Sequence, residues 1–287
     1  MPKDELPEPH RGLDALLPAE IAERAERIGA AKTRLDWMSL AALAVLGGAF
    51  IGLGGMFATT VLSGVEGADG PVRALAGLVF ALGLVLVVVG GAELFTGNNL
   101  MVMAWASGKI RLAEMARAWA IVWAGNFIGA AGTALLVFLA AQPLLGEGEG
   151  AVTALEIAAA KTTLPLLRAF FLGILCNVLV CLAVWLSYGA RGTADKILAI
   201  LLPVSAFVTA GFEHSVANMY FVPLGFLLAW FGPEALVAVG AGAEAAAALS
   251  LGGFLRNLVA VTIGNMVGGG VLVGAVYWFI YLRRRPG

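Results

Sequence analysis

Charged residues are scarce in this sequence. Asp, Glu, Lys and Arg make up 13% of the 287 residues, whereas 60% are hydrophobic. This composition excludes an ordinary soluble domain, in which about 25% of residues are charged. The formal net charge is −1, so there is no basic footprint for a nucleic acid and none is expected as a partner. The sequence therefore predicts a polytopic protein surrounded by membrane lipid.

Cysteine and histidine are also few. Cys176 and Cys181 lie in one apolar run, where cysteine usually acts as a small buried hydrophobe. We therefore expect neither a disulfide nor a metal site, and no other cofactor. Since no nucleophile stands near a base, we expect a transporter and not an enzyme. His214 is the only histidine outside the N-terminal tail.

The first 36 residues carry too many charges for a secretory signal peptide. Within them, Pro18 is predicted to begin an amphipathic helix with Ile21, Ala25 and Ile28 on one face. We interpret residues 1–36 as a cytoplasmic tail that packs on a transmembrane domain, residues 37–283, with a short cytoplasmic tail at 284–287. A solvated linker is the alternative for the N-terminal segment.

Six segments are long enough to cross a bilayer, which needs about 20 apolar residues. They are 37–62, 72–92 with an interrupted continuation at 98–106, 115–141, 164–188, 194–231 as a broken helix, and 255–282. The longest predicted loops between them are 142–163 and 232–254. Lys and Arg concentrate in the tails and in alternate loops, which predicts that both termini are cytoplasmic.

The second and fifth spans carry matching interruptions. Gly91-Ala92-Glu93 precedes Asn98 by the same spacing with which Gly211-Phe212-Glu213 precedes Asn218. Glycine permits backbone angles that a helix interior cannot use, so both helices are predicted to break there. Gly-Asn pairs also match in the third and sixth spans, at Asn126 and Asn265.

These matches predict an all-α protein of six transmembrane helices, arranged as two inverted three-helix repeats with broken helices 2 and 5. Such repeats place a permeation site between the broken helices near the bilayer midplane. Chance matching in a chain with 38 glycines is the alternative explanation.

The second break holds one imidazole, His214, next to Glu213. An ionisable residue at this depth is a candidate functional group, and histidine exchanges protons near neutral pH, so we expect it to couple an anion to a proton. The alternative is a neutral ring bonded to a helix carbonyl. Ser215 is expected to cap the half-helix that follows.

The carboxylates Glu93 and Glu213 would repel an anion. We expect them, with Gly91 and Gly211, to have structural roles at the breaks, either facing away from the pathway or held by backbone N–H groups.

Neutral donors and apolar bulk surround the predicted site. Thr96, Asn177 and Asn265 can each donate a hydrogen bond to an oxyanion without trapping it. The candidate hydrophobic constrictions are Phe80, Leu84, Leu94, Phe95, Val180 and Phe207, with plain packing as the alternative for each.

Segments 91–98, 176–185, 211–219 and 261–270 together resemble those of the formate/nitrite transporter family, and most closely the formate channel branch. The resemblance covers about residues 30–285. It implies an aquaporin-like six-helix protomer in a homopentamer, and each protomer has its own pore for a small monovalent anion.

The resemblance also implies roles for individual residues. Thr96 and His214 are expected to line a central chamber, Asn265 to partner the histidine, and Lys161 to draw anions into the outer vestibule. Phe95 and Phe207 are expected to narrow the pore. Arg168, near the outer mouth, departs from the family pattern.

The expected function is therefore passive or proton-coupled movement of formate through a multi-pass protein of a bacterial inner membrane. Nitrite or hydrosulfide is the alternative substrate, because both share formate's charge and size. An aquaporin-like channel for neutral solutes is a third reading, and it would need no protonatable residue.

Overall fold

The computed structural model describes residues 15–65, 67, 70–145, 147–233 and 241–284. Residues 1–14 and 285–287, which belong to the two predicted tails, lie outside this description, as does 234–240 in the predicted loop 232–254. The described chain is all-helical, as the sequence predicts.

Twelve α-helices are described in chain order. They are α1 Pro18–Lys32, α2 Trp37–Leu62, α3 Gly70–Gly90, α4 Val102–Ala106, α5 Leu112–Leu139, α6 Glu149–Thr163, α7 Leu166–Gly189, α8 Thr193–Thr209, α9 Ser215–Phe231, α10 Ala241–Ala248, α11 Leu251–Met266 and α12 Val276–Tyr281. Short 3₁₀ helices cover Gly97–Met101 and Gln142–Leu144. A π-helix, Val267–Ala275, joins α11 to α12.

Five helices in the described part of the chain are long and apolar enough to cross a membrane. They are α2, α3, α5, α7 and the continuous helix Leu251–Tyr281. The predicted span at 194–231 is described as two helices of 17 residues, α8 and α9, separated by residues 210–214.

Glycine lets these helices approach closely. A side chain at Gly48 of α2 would collide with the Asn126 carbonyl of α5, and one at Gly268 would collide with the Ile174 carbonyl of α7. Small residues at such crossings are the usual means of packing helices in a membrane. Large apolar side chains such as Ile128, Leu136 and Leu202 remain on the outside of the protomer.

The prediction of a loop over residues 142–163 is wrong in part, because this segment contains helix α6. Ala151, Ala154 and Ala158 are buried along one side of this helix, which packs against α9. Its 15 residues are too short and too polar for a span, so a search for long apolar runs missed it. Helix α10 falls likewise in the predicted loop 232–254.

Helix α1 begins at Pro18, as predicted, and is not a solvated linker. It buries Ile21, Ala22 and Ala25 against α4, α7 and α12. This packing fixes its last residue, Lys32, beside the first helix break.

Candidate functional site at the two helix breaks

Both helix breaks begin at a glycine with a left-handed backbone. The φ angle is +84° at Gly91 and +70° at Gly211, which disfavours any residue with a side chain. Residues 92–94 and 212–214 then run without helical structure. The two glycines therefore act as the sequence predicts.

Asn126 fixes the backbone of the first break. Its Oδ1 accepts a hydrogen bond from Phe95 N at 2.8 Å, while its Nδ2 donates to Glu93 O at 2.9 Å and Ala44 O at 2.7 Å. Backbone groups that leave a helix inside a membrane need such partners, because no water is available.

Asn265 makes the same three contacts at the second break. Its Oδ1 accepts from Ser215 N at 3.0 Å, and its Nδ2 donates to Glu213 O at 3.0 Å and Gly173 O at 2.7 Å. Asn265 was expected to partner the histidine, and in the described structure no hydrogen bond joins it to the His214 ring. The amide instead holds the backbone on both sides of His214, since those groups have no helical partner.

The His214 ring meets the Thr96 hydroxyl, so the two breaks are in direct contact. Thr96 Oγ1 lies 2.9 Å from His214 Nε2, and both residues are buried. His214 Nδ1 accepts a hydrogen bond from Ala217 N at 3.1 Å. The neutral ring therefore carries its proton on Nε2 and donates it to Thr96 Oγ1, which leaves the Thr96 hydroxyl proton for another acceptor.

His214 itself caps helix α9 through this bond to Ala217 N. The expected cap by Ser215 is wrong, because Ser215 is the first helical residue and not the residue before it. The Ser215 hydroxyl is buried and has no hydrogen-bond partner among the described residues.

Asn177 supports the backbone of Thr96. Its Nδ2 lies 3.2 Å from Thr96 O, 2.9 Å from Asn99 Oδ1 and 2.7 Å from Asn265 O. Cys181 Sγ also donates to Thr96 O, at 3.3 Å. The amide hydrogens of Asn177 are thus engaged by the protein, which corrects the expectation that they are available to an anion.

The two buried carboxylates are held by lysine and asparagine side chains. Glu213 Oε1 accepts from Lys161 Nζ at 2.8 Å, and Glu213 Oε2 accepts from Asn218 Nδ2 at 2.7 Å. Glu93 Oε2 accepts from Lys32 Nζ at 2.9 Å and from Asn98 Nδ2 at 2.7 Å.

The expected backbone N–H partners of these carboxylates are therefore wrong. A lysine neutralises each charge, which an amide N–H group does not do. Sequence reasoning missed Lys32, although one signal existed: Lys32 and Lys161 each lie in the last turn of the helix that precedes a three-helix half.

A cavity of about 330 Å³ opens onto His214, and we call it the vestibule. Its wall includes the Lys161–Glu213 pair, the rings of Phe80 and Phe207 and two arginines, Arg73 and Arg168.

Beyond His214 the space narrows to about 10 Å³, which we call the apolar slit. It is lined by Ile51, Phe80, Leu84, Leu94, Val180, Val204, Phe207 and His214. Five of the six predicted constriction residues lie on this wall. The sixth, Phe95, packs edge-on against Trp119 instead, with ring centroids 6.1 Å apart. Ile51 and Val204 were not predicted, because nothing in an apolar span distinguishes them from packing residues.

The chain is similar to known membrane transport proteins. The model of the formate/nitrite transporter family matches residues 19–279. The formate channel FocA of Escherichia coli K12 is 41% identical over 94% of this chain and 96% of its own length. The nitrite transporter NirC of Salmonella typhimurium LT2 is 36% identical over 90% and 87%.

A solved structure described as a pentameric formate channel with formate bound is also similar. It has a TM-score of 0.79 and 40% identity, and the match covers 86% of this chain and 98% of that one. These three relatives are channels or transporters by name.

Proposed function

This chain belongs to the formate/nitrite transporter family, and on that premise we propose that it moves formate across a bacterial inner membrane through a pore within each protomer. The observation that carries the proposal is the buried hydrogen bond between Thr96 and His214. The His214 ring of this pair lines both the vestibule and the apolar slit. Any anion that passes between the two spaces meets it.

The Thr96 hydroxyl is the proposed contact for formate. Its oxygen accepts the proton of His214 Nε2, so its own proton is free to donate to a carboxylate oxygen. A neutral donor of this kind stabilises the anion without the full charge of a lysine or arginine. Formate is therefore held briefly and released, as conduction requires.

We propose that a proton accompanies formate, because the slit is apolar. Moving a carboxylate out of water without a partner costs far more free energy than moving neutral formic acid. The ring with a single proton on Nε2 cannot supply that proton. To become a donor it must first gain a second proton at Nδ1, and this breaks the bond to Ala217 N.

The proton balance is then simple. One proton enters at Nδ1 from water in the vestibule. The proton on Nε2 passes to Thr96 Oγ1 as the hydroxyl proton passes to formate, and formic acid enters the slit. His214 is then neutral but carries its proton on Nδ1. The cap on Ala217 N re-forms when that proton leaves Nδ1 for vestibule water and another proton from water returns to Nε2, so that the full cycle transfers one proton with each formate.

We further propose that α8 and α9 together make a sixth crossing, so that two inverted three-helix repeats form an aquaporin-like protomer. The identical contacts of Asn126 and Asn265 support this arrangement. A ring of five copies is proposed from the pentameric relative, and native mass spectrometry in mild detergent tests it. Residues 1–36 and 284–287 are proposed to be cytoplasmic.

A flux assay in proteoliposomes tests the proposed function. Formate, nitrite, hydrosulfide, acetate and glycerol are offered to the same preparation, with protein-free liposomes as the control. We expect formate to cross faster than acetate and glycerol. A preparation that conducts glycerol but not formate contradicts the proposal in favour of a neutral-solute channel. Nitrite crossing far faster than formate would assign the chain to nitrite transport.

A further inference from the structure

Lys161 does not by itself make the vestibule positive. Its Nζ lies 2.8 Å from Glu213 Oε1, and both side chains are largely buried. The carboxylate therefore cancels the charge of the ammonium group. An anion in the vestibule meets a neutral pair at this point on the wall.

Two further cations line the same cavity, Arg73 of α3 and Arg168 of α7. In the described part of the chain, neither guanidinium makes an ion pair or hydrogen bond. The described vestibule wall thus carries three cations and one carboxylate, which is a net charge of +2. That surplus comes from the arginines, since Lys161 and Glu213 compensate each other.

Arg73 reaches close to the second helix break. A Cβ atom at Gly211 would lie 2.7 Å from Arg73 Nη2, so the guanidinium lies against the backbone of the turn that leads to His214. Gly211 is required here for its left-handed φ angle, and its lack of a side chain also leaves room for the guanidinium. Arg73 thereby places a permanent positive charge in the vestibule wall beside the second helix break.

We propose that Arg73 and Arg168 form an entry site for small monovalent anions such as formate, and that they supply the attraction that the Lys161–Glu213 pair does not. This inference rests on the proposed function. A cleft lined by one sign of charge, with walls of low dielectric constant, raises the local concentration of the opposite ion. Arginine keeps its charge at every physiological pH, so the entry site operates independently of the protonation of His214.

The test is the initial rate of formate flux as a function of formate concentration, at low ionic strength and at about 1 M salt. The variants are Arg73→Gln, Arg168→Gln and the double variant. Arg73→Lys keeps the charge without the guanidinium shape. Arg256→Gln is the matched control, because Arg256 is a nearby exposed cation that donates to Thr162 O and does not line the vestibule.

We expect each Gln variant to lose flux at low formate by roughly three- to tenfold, with little change at saturation, because the charge acts before the chamber. The loss should largely disappear at about 1 M salt, where the Debye length is about 3 Å. Arg73→Lys should retain most of the flux, and Arg256→Gln should match wild type. Saturating flux equal to wild type also shows that each variant is folded.

Unchanged flux of both single Gln variants at low formate overturns the inference. So does an equal loss at all concentrations, or an equal loss in Arg256→Gln. If wild-type protein carries no formate, the proposed function fails on its own. The same variants are then measured with the anion that wild type does carry, which decides the entry site separately.

Discussion

Thr96 Oγ1 lies 2.9 Å from His214 Nε2, although the two residues are 118 positions apart in the chain. Each residue is also held by contacts other than this one. Asn265 fixes the backbone on both sides of His214, while Asn177 and Cys181 fix the Thr96 carbonyl. The distance between the two side chains is therefore set by the surrounding protein, and it should survive substitution of either one.

Thr96→Val should lower formate flux by about ten- to a hundredfold. The change keeps shape and volume but removes the hydroxyl that contacts His214 Nε2, the ring that lines both the vestibule and the slit. An unmade hydrogen bond there costs about 1–3 kcal/mol. Initial rates in proteoliposomes measure the effect, and Thr96→Ser should restore most of the flux.

Ser215→Ala is the matched control for that change, because the Ser215 hydroxyl is buried nearby but has no partner in the described structure. It should conduct nearly as wild type does. Wild-type flux in Thr96→Val would show that Thr96 does not line the pathway.

His214→Asn should remove the pH dependence of formate flux, because the proposed proton donor is replaced by a side chain that does not titrate. Asparagine is an effective helix N-cap, so its side chain can still accept from Ala217 N while the group that gains and loses the proton is gone. The fold and the oligomer should persist, as checked by size-exclusion chromatography. A purified variant whose pH profile matches wild type would rule out proton donation by His214.

Lys161→Met should reduce flux at every formate concentration, unlike the arginine variants. Removing one partner of a buried ion pair leaves an uncompensated charge and typically costs about 3–5 kcal/mol. Here the remaining Glu213 carboxylate would also repel the anion from the vestibule.

The double variant Lys161→Met/Glu213→Gln should recover part of both the flux and the thermal stability, because no net charge remains unpaired. Flux curves and melting temperatures of the single and double variants check this. A double variant as impaired as the Lys161 single variant would show that the loss does not come from the unpaired charge.

Much of the fold can be predicted from the long apolar runs in the sequence. Helix α2 has the predicted bounds because a span is defined by a continuous apolar run. The breaks were predictable because glycine and an ionisable residue are both out of place in such a run. Helix α6 was missed because an alanine-rich surface on a short helix resembles a loop when only span length is considered.

The site was less predictable, because its contacts join distant segments. The sequence around Glu93 does not identify Lys32 as its partner. Lys32 is 61 residues away and reaches Glu93 only because α1 packs against the transmembrane helices. For a similar reason, the sequence did not indicate that Asn265 holds the backbone on both sides of His214, or that His214 and not Ser215 caps the helix. In a helix break the unpaired N–H and C=O groups compete for every polar side chain, and the outcome depends on distances that a sequence does not contain.

The most direct test of the Thr96–His214 pair is a double-mutant cycle on formate flux with wild type, Thr96→Val, His214→Asn and the double variant. When two residues act on the anion as one hydrogen-bonded unit, the free-energy effects of their substitutions do not add. We therefore expect the double variant to conduct about as well as the weaker single variant, with a coupling free energy of about 1 kcal/mol or more. Losses that add within about 0.3–0.5 kcal/mol would mean that the two side chains act separately, and a single chamber formed by the two helix breaks would be contradicted.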